Sequence, residues 1–287
     1  MKSNLLLLSN SFPDSFSNLQ NLLTLDLSNQ YNSPSDKNFA FPNAIFELRN
    51  LRTLNIRSSY LPDVPDSFEK FVNLLILDLG ENKLSSLPNS IGYLENVRNL
   101  ILDSNRLSSL PKTIGNLKNL KKFTLDYKKL TSLPEGICDL KNLKNLSLVK
   151  NNLKTIPENI GKLSNLEILN VSVNKDLINL PNSICKLIGL KKLYLQGTGI
   201  LHLPCEMDNL PNLQSVGLTK NQTESFSKFG NNLPNLQEVI LYPNNSPKWS
   251  IKHHYDPLNK LNGVPLSVKE CFAELRRNGC KILKGYK

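Results

Sequence analysis

The sequence has little of what a disulfide framework, a zinc site or a membrane helix requires. It contains five cysteines, an odd number without a C-x-x-C pair, so neither a complete set of disulfides nor a zinc knuckle is indicated. The early apolar run Leu5 to Leu8 is too short for a signal peptide, and no run reaches the roughly 18 apolar residues of a membrane helix. We therefore expect reduced thiols, no membrane partner and a cytoplasmic location.

Arginine is also scarce, although the chain is strongly basic. The formal charge is +11, yet only seven of the 35 basic residues are arginines. Arginine is the residue that recognises bases and phosphates in bidentate fashion, and no aromatic residues interleave a basic tract to stack on bases. The composition argues against a nucleic-acid partner and favours a lysine-rich solvated surface.

Catalytic motifs are missing as well. The sequence has no G-x-S-x-G, no P-loop and no G-x-G-x-x-G. "HHYD", residues 253–256, could suggest a metal site or a general base, but adjacent histidines do not present both rings as an i, i+4 pair on a helix does. The alternative interpretation is a solvated loop. We expect no catalytic residue, no metal and no cofactor.

What the sequence has in abundance is leucine at a fixed interval. "NLLILDLGENKLSSLPNSIGYLE", from Asn73, aligns with "NVRNLILDSNRLSSLPKTIGNLK", from Asn96. The pattern reads L-x-x-L-x-L-x-x-N-x-L-x-x-L-P-x-x-I-x-x-L-x-N, and seven of its nine steps along the chain are 23 residues. Places within a repeat are numbered here from its first residue. The ten first residues are Leu22, Leu51, Leu74, Val97, Leu120, Leu143, Leu166, Leu190, Leu213 and Leu236.

This pattern resembles the leucine-rich repeat family over roughly residues 10 to 245, in the short 23-residue LPxxIxxLxNL form of intracellular Ras-group and bacterial repeat proteins. The resemblance implies an α/β fold: a solenoid curved like a horseshoe, with a parallel sheet on the concave face and short helical or irregular turns on the convex face. We expect a repeat domain over residues 1–245 and a C-terminal cap over residues 246–287.

The residues support this fold independently. The L-x-L alternation directs Leu77 and Leu79 inward and Ile76 and Asp78 outward. In the cap, Val268, Cys271, Phe272 and Leu275 share one face of a predicted amphipathic helix, with Ser267 and Glu270 as a capping box. Cys271 is expected in the core, and a bridge from it to Cys280 is left open.

The asparagine at the ninth place is expected to close the bend after each strand, because its amide both accepts and donates hydrogen bonds. It is present as Asn82, Asn105, Asn151, Asn174, Asn221 and Asn244. Lys128 interrupts this ladder, and its ammonium has no acceptor. If buried, it leaves a bend N–H unpaired at a cost of about 1–3 kcal/mol. The favoured alternative is that its stem turns outward to water.

The outward residues of the predicted strands are the candidate binding site. Asp103 and Asp126 fall in one column about 4.8 Å apart, a like-charge arrangement that a cationic partner could relieve. A basic column at the second place contains Arg52, Arg98, Lys121, Lys144 and Lys191. Charges that steer and aromatic residues that anchor suit protein recognition. The candidate contact residues are Arg57, Asp78, Glu81, Asp103, Lys122, Asp126, Tyr127, Lys150, Tyr194 and Tyr242.

The sequence thus predicts a non-catalytic module that binds a protein partner on its concave face, with Tyr127 favoured over Lys128 as a contact. The alternative is a secreted or surface-exposed adhesion or host-contact protein whose export signal is absent from this chain. An enzyme, a hydrolase or a ligase, is the third and weakest interpretation.

Overall fold

The computed structural model describes residues 3–4, 19–29, 41–243 and 265–284. The chain divides into two compact units, Met1–Ser147 and Leu148–Lys287. The predicted boundary between residues 245 and 246, the "HHYD" segment and Asn244 all lie outside the described residues.

The first unit is built on short parallel strands that follow one another in chain order. Each outward residue faces the residue one repeat later, as Thr53 faces Ile76 and Ile76 faces Asn99. This register is the predicted 23-residue step, and it stacks the inward leucines of neighbouring repeats. The strands are β1 (Ser3–Asn4), β2 (Thr24–Asp26), β3 (Thr53–Asn55), β4 (Ile76–Asp78), β5 (Asn99–Ile101), β6 (Lys122–Thr124) and β7 (Asn145–Ser147).

Short 3-10 helices return the chain from one strand to the next. Pro88 and Pro111 directly precede two of them, with φ angles of −70° and −66° that the pyrrolidine ring fixes, and a proline at such a start sacrifices no helical N–H. The 3-10 helices of the first unit are Asn43–Glu47, Phe68–Lys70, Asn89–Tyr93, Lys112–Asn116 and Glu135–Asp139.

The second unit repeats the plan and adds two α-helices. Its strands, again parallel and in chain order, are β8 (Ile168–Asn170), β9 (Lys192–Tyr194), β10 (Ser215–Thr219), β11 (Glu238–Tyr242) and β12 (Lys281–Lys284). Its 3-10 helices are Ile160–Lys162, Asn182–Lys186, Cys205–Asn209, Lys220–Gln222 and Gly230–Asn232, and its α-helices are α1 (Thr223–Ser227) and α2 (Leu266–Arg277). The α/β repeat architecture expected from the sequence is confirmed.

Columns of apolar side chains form the core under the strands. In the first unit the inward strand position is fully buried in each of five successive repeats, and each such side chain contributes about 1.5–3 kcal/mol by leaving water. Four phenylalanine rings pack together beneath the first repeats, with the centroids of Phe46 and Phe71 4.9 Å apart. The column is Leu54, Leu77, Leu100, Phe123 and Leu146.

Helix α2 buries the face predicted for it. The ring of Phe272 stacks at 6.1 Å on that of Phe226 in α1, and Cys271 is buried, as expected. Cys271 and Cys280 are both free thiols. The predicted capping box is wrong: α2 begins at Leu266, directly after Pro265, and no side chain caps it. Ser267 therefore lies inside the first turn, where it cannot act as the N-cap. No helix among the described residues is both long and apolar enough to cross a bilayer.

Candidate functional site

In the regular repeats, the bend after the strand is closed by the ninth-place asparagine, as predicted. The side-chain oxygen of Asn82 accepts hydrogen bonds from the Ser59 and Leu61 N–H groups at 3.0 Å. Its amide nitrogen donates to the carbonyls of Ile56, at 2.6 Å, and Leu79, at 3.0 Å. One side chain thereby satisfies donors and acceptors of two repeats. Asn105 and Asn174 make equivalent bonds.

The prediction fails at Asn221, which is exposed. The adjacent Gln222 is buried instead. Its oxygen accepts from the Thr219 N–H at 2.8 Å, and its nitrogen donates to the Thr198 hydroxyl at 2.9 Å. Strand β10 has five residues where the strands of the regular repeats have three, so the bend lies one place later. A glutamine with its additional methylene then spans the bend.

Lys128 does not turn outward, so the favoured interpretation of this residue is wrong. Its side chain is only 5% exposed, and its ammonium nitrogen has no hydrogen-bond partner among the described residues. The ninth place directs its side chain into the bend, and the lysine stem follows the path of the asparagines. Burial lowers the pKa of Lys128 to about 7, although the charges of Asp103 and Asp126 oppose the shift.

The eighth place has a left-handed backbone, which the residue pattern did not predict. Ser58, Glu81, Ser104 and Tyr127 have φ angles between 54° and 57°. The N–H of Glu81 donates to the Asp103 carbonyl at 2.7 Å, and Ser58, Ser104, Lys150 and Val173 make the equivalent bond in their repeats. The residue types at this place share no property that could have revealed the conformation. The sharp turn leaves Tyr127 54% exposed beside the strands.

Arg57, from one repeat, forms a charged group with Asp78 and Glu81, from the next. Arg57 is 2.5 Å from Glu81 and 3.6 Å from Asp78, and Glu81 also accepts from the Ser58 hydroxyl at 2.7 Å. The Ser58 and Arg57 contacts lower the pKa of Glu81, whereas burial raises that of Asp78. Gly80 makes room for this group, since a Cβ there would lie 2.5 Å from Arg57 Nη1.

The neighbouring carboxylates Asp103 and Asp126 are each bound by the next strand. Asp103 accepts from the Asp126 N–H at 2.9 Å and from the Thr124 hydroxyl at 3.0 Å. Asp126 accepts from the Ser147 hydroxyl at 2.7 Å. The like-charge repulsion inferred from the sequence is thus offset within the chain, and the two carboxylates join successive repeats.

Seven of the ten predicted contact residues lie in the first unit, where Lys122 and Tyr127 are exposed and the five others belong to the charged groups just described. The remaining three lie in the second unit. Lys150 is exposed there, while Tyr194 and Tyr242 are half-buried, and burial raises the pKa of Tyr242.

A second set of asparagines, at the last place of the repeat, was present in the pattern but not interpreted. The amide nitrogen of Asn96 donates to the Val72 carbonyl at 2.8 Å, and Asn119 does the same to the Glu95 carbonyl at 2.9 Å. These exposed amides tie each turn to the preceding one. The recurrence of asparagine at this place was the signal that could have revealed them.

Comparison with known proteins also identifies leucine-rich repeats. A family model described as a leucine-rich repeat region matches residues 6–133 and 126–264. No curated protein gives a significant match. Among solved structures, a leucine-rich repeat protein of Leptospira interrogans is 26% identical, with a TM-score of 0.54 over 94% of this chain and 74% of that one.

Two further structures are similar. The leucine-rich repeat domain of the type III effector XopL is 26% identical, with a TM-score of 0.52 over 62% of this chain and 71% of that domain. A TDR receptor is 24% identical, with a TM-score of 0.62 over 81% of this chain and 49% of the receptor, and its likeness concerns the fold alone.

Proposed function

Because this chain belongs to the leucine-rich repeat proteins, whose fold is typically a non-enzymatic interaction module, we propose that it binds a protein partner and catalyses no reaction. The surface proposed to bind is the strand face of the first unit. This term denotes the outward side chains at the third, fifth, seventh and eighth places of its repeats. The observation that carries the proposal is that one repeat presents both an exposed aromatic ring, Tyr127, and an exposed cation, Lys122, which lies on the paired strand β6.

The internal bonds of the strand face favour recognition of a macromolecule. Arg57, Glu81 and Asp103 are already held by neighbouring groups, so little side-chain entropy is lost when a partner covers them. Exposed aromatic residues are among the side chains that supply most binding energy at protein interfaces. A rigid charged surface with an aromatic anchor is therefore well suited to bind a protein.

The test is capture of the partner by the tagged chain from its native source, followed by binding measurements with the purified partner. Lys122→Ala combined with Tyr127→Asn removes the central side chains. Asparagine is chosen because it tolerates the left-handed backbone. We expect binding to weaken at least about tenfold, which corresponds to the loss of one interface anchor.

The matched control is Lys118→Ala combined with Tyr93→Asn. These exposed residues lie between strands, and Tyr93 is 55% exposed, close to the 54% of Tyr127. The control should change the affinity less than about twofold. Equal weakening by both pairs, or weakening by the control pair alone, would overturn the proposal.

The proposal includes a reducing, intracellular location. Cys138, Cys185, Cys271 and Cys280 carry reduced thiols, which suits a compartment in which disulfides do not form. Fractionation of the native source with an antibody to the chain tests this part. Recovery in the external medium or on the cell surface would refute it.

A further inference from the structure

A cleft opens in the first unit where the chain leaves strands β3 to β6. Its volume is about 430 Å³, and it lies between the eighth and tenth places of successive repeats. Tyr60 and Tyr127 bound it, and the side chains of Lys83, Arg106 and Glu81 contribute to its walls. The cleft adjoins the strand face, because Glu81 and Tyr127 belong to both.

The carboxylates in and beside this cleft already accept hydrogen bonds from groups of the chain itself. Glu81 is held by Arg57 and Ser58. Asp103 and Asp126 are bound by donors of the following strands. A cationic partner would therefore have to displace existing bonds to reach these carboxylates.

The positively charged side chains that line the cleft have no carboxylate partner of this kind in the described part of the chain. The ammonium of Lys83 lies 4.0 Å above the centre of the Tyr60 ring, a cation–π contact that leaves its full charge. Among the described residues, no carboxylate lies within ion-pair distance of Lys83, Arg106 or Lys129. These three cations occupy the tenth place of three consecutive repeats and so form a row, in which Lys83 and Arg106 line the cleft.

The row is particular to the first unit. In the second unit, the tenth places of the three repeats that begin at Leu143, Leu166 and Leu190 are Asn152, Lys175 and Gly199. The run of cations between tyrosines is therefore a local feature and does not follow from the general lysine content of the chain.

From this distribution we infer that the cleft receives an acidic segment of the protein partner, with Asp or Glu carboxylates against Lys83 and Arg106 and an apolar or aromatic side chain against Tyr127. This inference rests on the proposed function and names the chemistry of the partner. Arginine is suited to hold a carboxylate through two parallel N–H donors. Tyr127 supplies a rigid aromatic surface beside that charge.

The probe for the test is a short fluorescein-labelled peptide of alternating Glu and Tyr. Two matched peptides replace Glu by Gln or by Lys. Fluorescence anisotropy with the full chain should show binding of the Glu peptide at least about tenfold tighter than of either matched peptide at physiological ionic strength. The preference should increase when the salt concentration is lowered, because exposed charges are then less screened.

Variants locate the binding. Arg106→Gln should weaken the Glu peptide by about fivefold to twentyfold, and Tyr127→Asn by a similar factor, whereas Lys118→Gln, which removes the same charge outside the cleft, should change it less than about twofold. Circular dichroism and the midpoint of urea unfolding verify that each variant is folded. Arg106→Glu should reverse the preference in favour of the Lys peptide.

Several outcomes would overturn the inference. Equal affinity for the three peptides, or equal loss with Arg106→Gln and Lys118→Gln, would show only a general charge effect. Tighter binding of a short single-stranded thymidine oligonucleotide than of the Glu peptide, with the same dependence on Arg106, would assign the cleft to nucleic acid.

The experiments distinguish a failure of this inference from a failure of the proposed function. A captured partner that depends on Lys122 and Tyr127 but not on Arg106 or Lys83 would leave the proposed function standing and refute an acidic segment in the cleft. A cleft that prefers the Glu peptide, in a chain whose captured proteins are insensitive to the strand-face variants, would support the cleft chemistry and refute the proposed interface.

Discussion

Two neighbouring bends of the first unit, at Asn105 and at Lys128, have the same backbone path and opposite chemistry. The Asn105 side chain accepts from the Leu84 N–H at 3.0 Å and donates to the Leu79 and Leu102 carbonyls at 2.8 Å. The Lys128 ammonium, one repeat later, has no hydrogen-bond partner among the described residues. The backbone path of the bend at Lys128 is therefore maintained by the leucine column and the strand register. The side-chain amide of an asparagine at this place affects the stability of the bend and not its path.

The difference also has an electrostatic side. An amide is neutral at every pH, whereas a buried ammonium must either remain charged without solvent or release its proton. Asp103 and Asp126 stabilise the charge of Lys128 only in part, because its pKa still falls to about 7. The bend at Lys128 is thus a weak point of the first unit and one that responds to pH.

The largest loss of stability is expected when the bend at Asn105 is given the lysine found in the bend at Lys128. Asn105→Lys removes the amide bonds and buries a second ammonium, which should lower the free energy of unfolding by about 4 kcal/mol. Urea unfolding followed by circular dichroism measures this. Asn96→Lys is the control. Because Asn96 is exposed, this change should lower the free energy of unfolding by less than about 1 kcal/mol. Similar losses from both changes would contradict the role given to the buried amide.

The reverse conversion should stabilise the chain. Lys128→Asn restores an acceptor for the Leu107 N–H, which occupies the place of Leu84 in the preceding bend, and removes the buried ammonium. We expect a gain of about 2–3 kcal/mol at neutral pH in the same unfolding measurement. The matched control is Lys129→Asn, at the next position, which is exposed. It should change the free energy of unfolding by less than about 0.5 kcal/mol. No gain for Lys128→Asn would mean that the lysine bend is satisfied in some other way.

The stability of the bend at Lys128 should also depend on pH. The folded-state pKa of Lys128, about 7, lies below its ordinary value of 10.5, so above pH 7 the unfolded chain binds a proton that the folded chain does not. The contribution of Lys128 to stability therefore rises with pH through this window, by about 2 kcal/mol from about pH 6.5 to about pH 8.5.

Lys128→Asn supplies the reference for this pH measurement and should remove the rise. The pH window lies below the range in which the buried thiols of Cys271 and Cys280 affect stability. Their pKa values are raised from 9.0 to about 11, so they lower the free energy of unfolding as the pH rises beyond about 9. Parallel pH profiles of the two proteins would disprove the assignment of the titration to Lys128.

The smallest effect concerns the link between the two repeats. Asp103 belongs to the repeat of Asn105 and accepts hydrogen bonds from the Asp126 N–H and the Thr124 hydroxyl in the repeat of Lys128. Asp103→Ala should cost about 1 kcal/mol in urea unfolding. Asp139→Ala, at an exposed position between strands, is the control and should be neutral within about 0.5 kcal/mol. A neutral Asp103→Ala would show that the inter-repeat bonds are not stabilising.

Much of the fold could be predicted because its determinants repeat. Leu77 and Leu100 are buried where the period requires, and Asn82 closes its bend as its chemistry indicates. The burial of Lys128 could not be derived, because lysine usually reaches water and only the surrounding backbone shows that its path leads inward. The shift from Asn221 to Gln222 depends on the length of one strand, which the leucine spacing does not encode.

The candidate site was predictable only in part. Alternation correctly identified the outward residues, but the partners of Arg57 and Asp103 depend on distances between side chains of different repeats. The left-handed eighth place also escaped prediction, since Glu81 and Tyr127 are not residues that mark such a backbone. That place positions the exposed tyrosine and forms one wall of the cleft.

The two ladders of asparagine amides also bear on how the protein ages. Asparagine is among the thermolabile residues, and hydrolysis of its amide yields a carboxylate. At Asn82 or Asn105 this would replace a donor by an anion facing the carbonyl oxygens it once bound, an irreversible lesion in a buried bend. Such damage would accumulate with time at elevated temperature, chiefly when a bend opens and frees its amide. The working lifetime of this scaffold is therefore expected to be set by covalent chemistry at its bends as well as by its equilibrium stability.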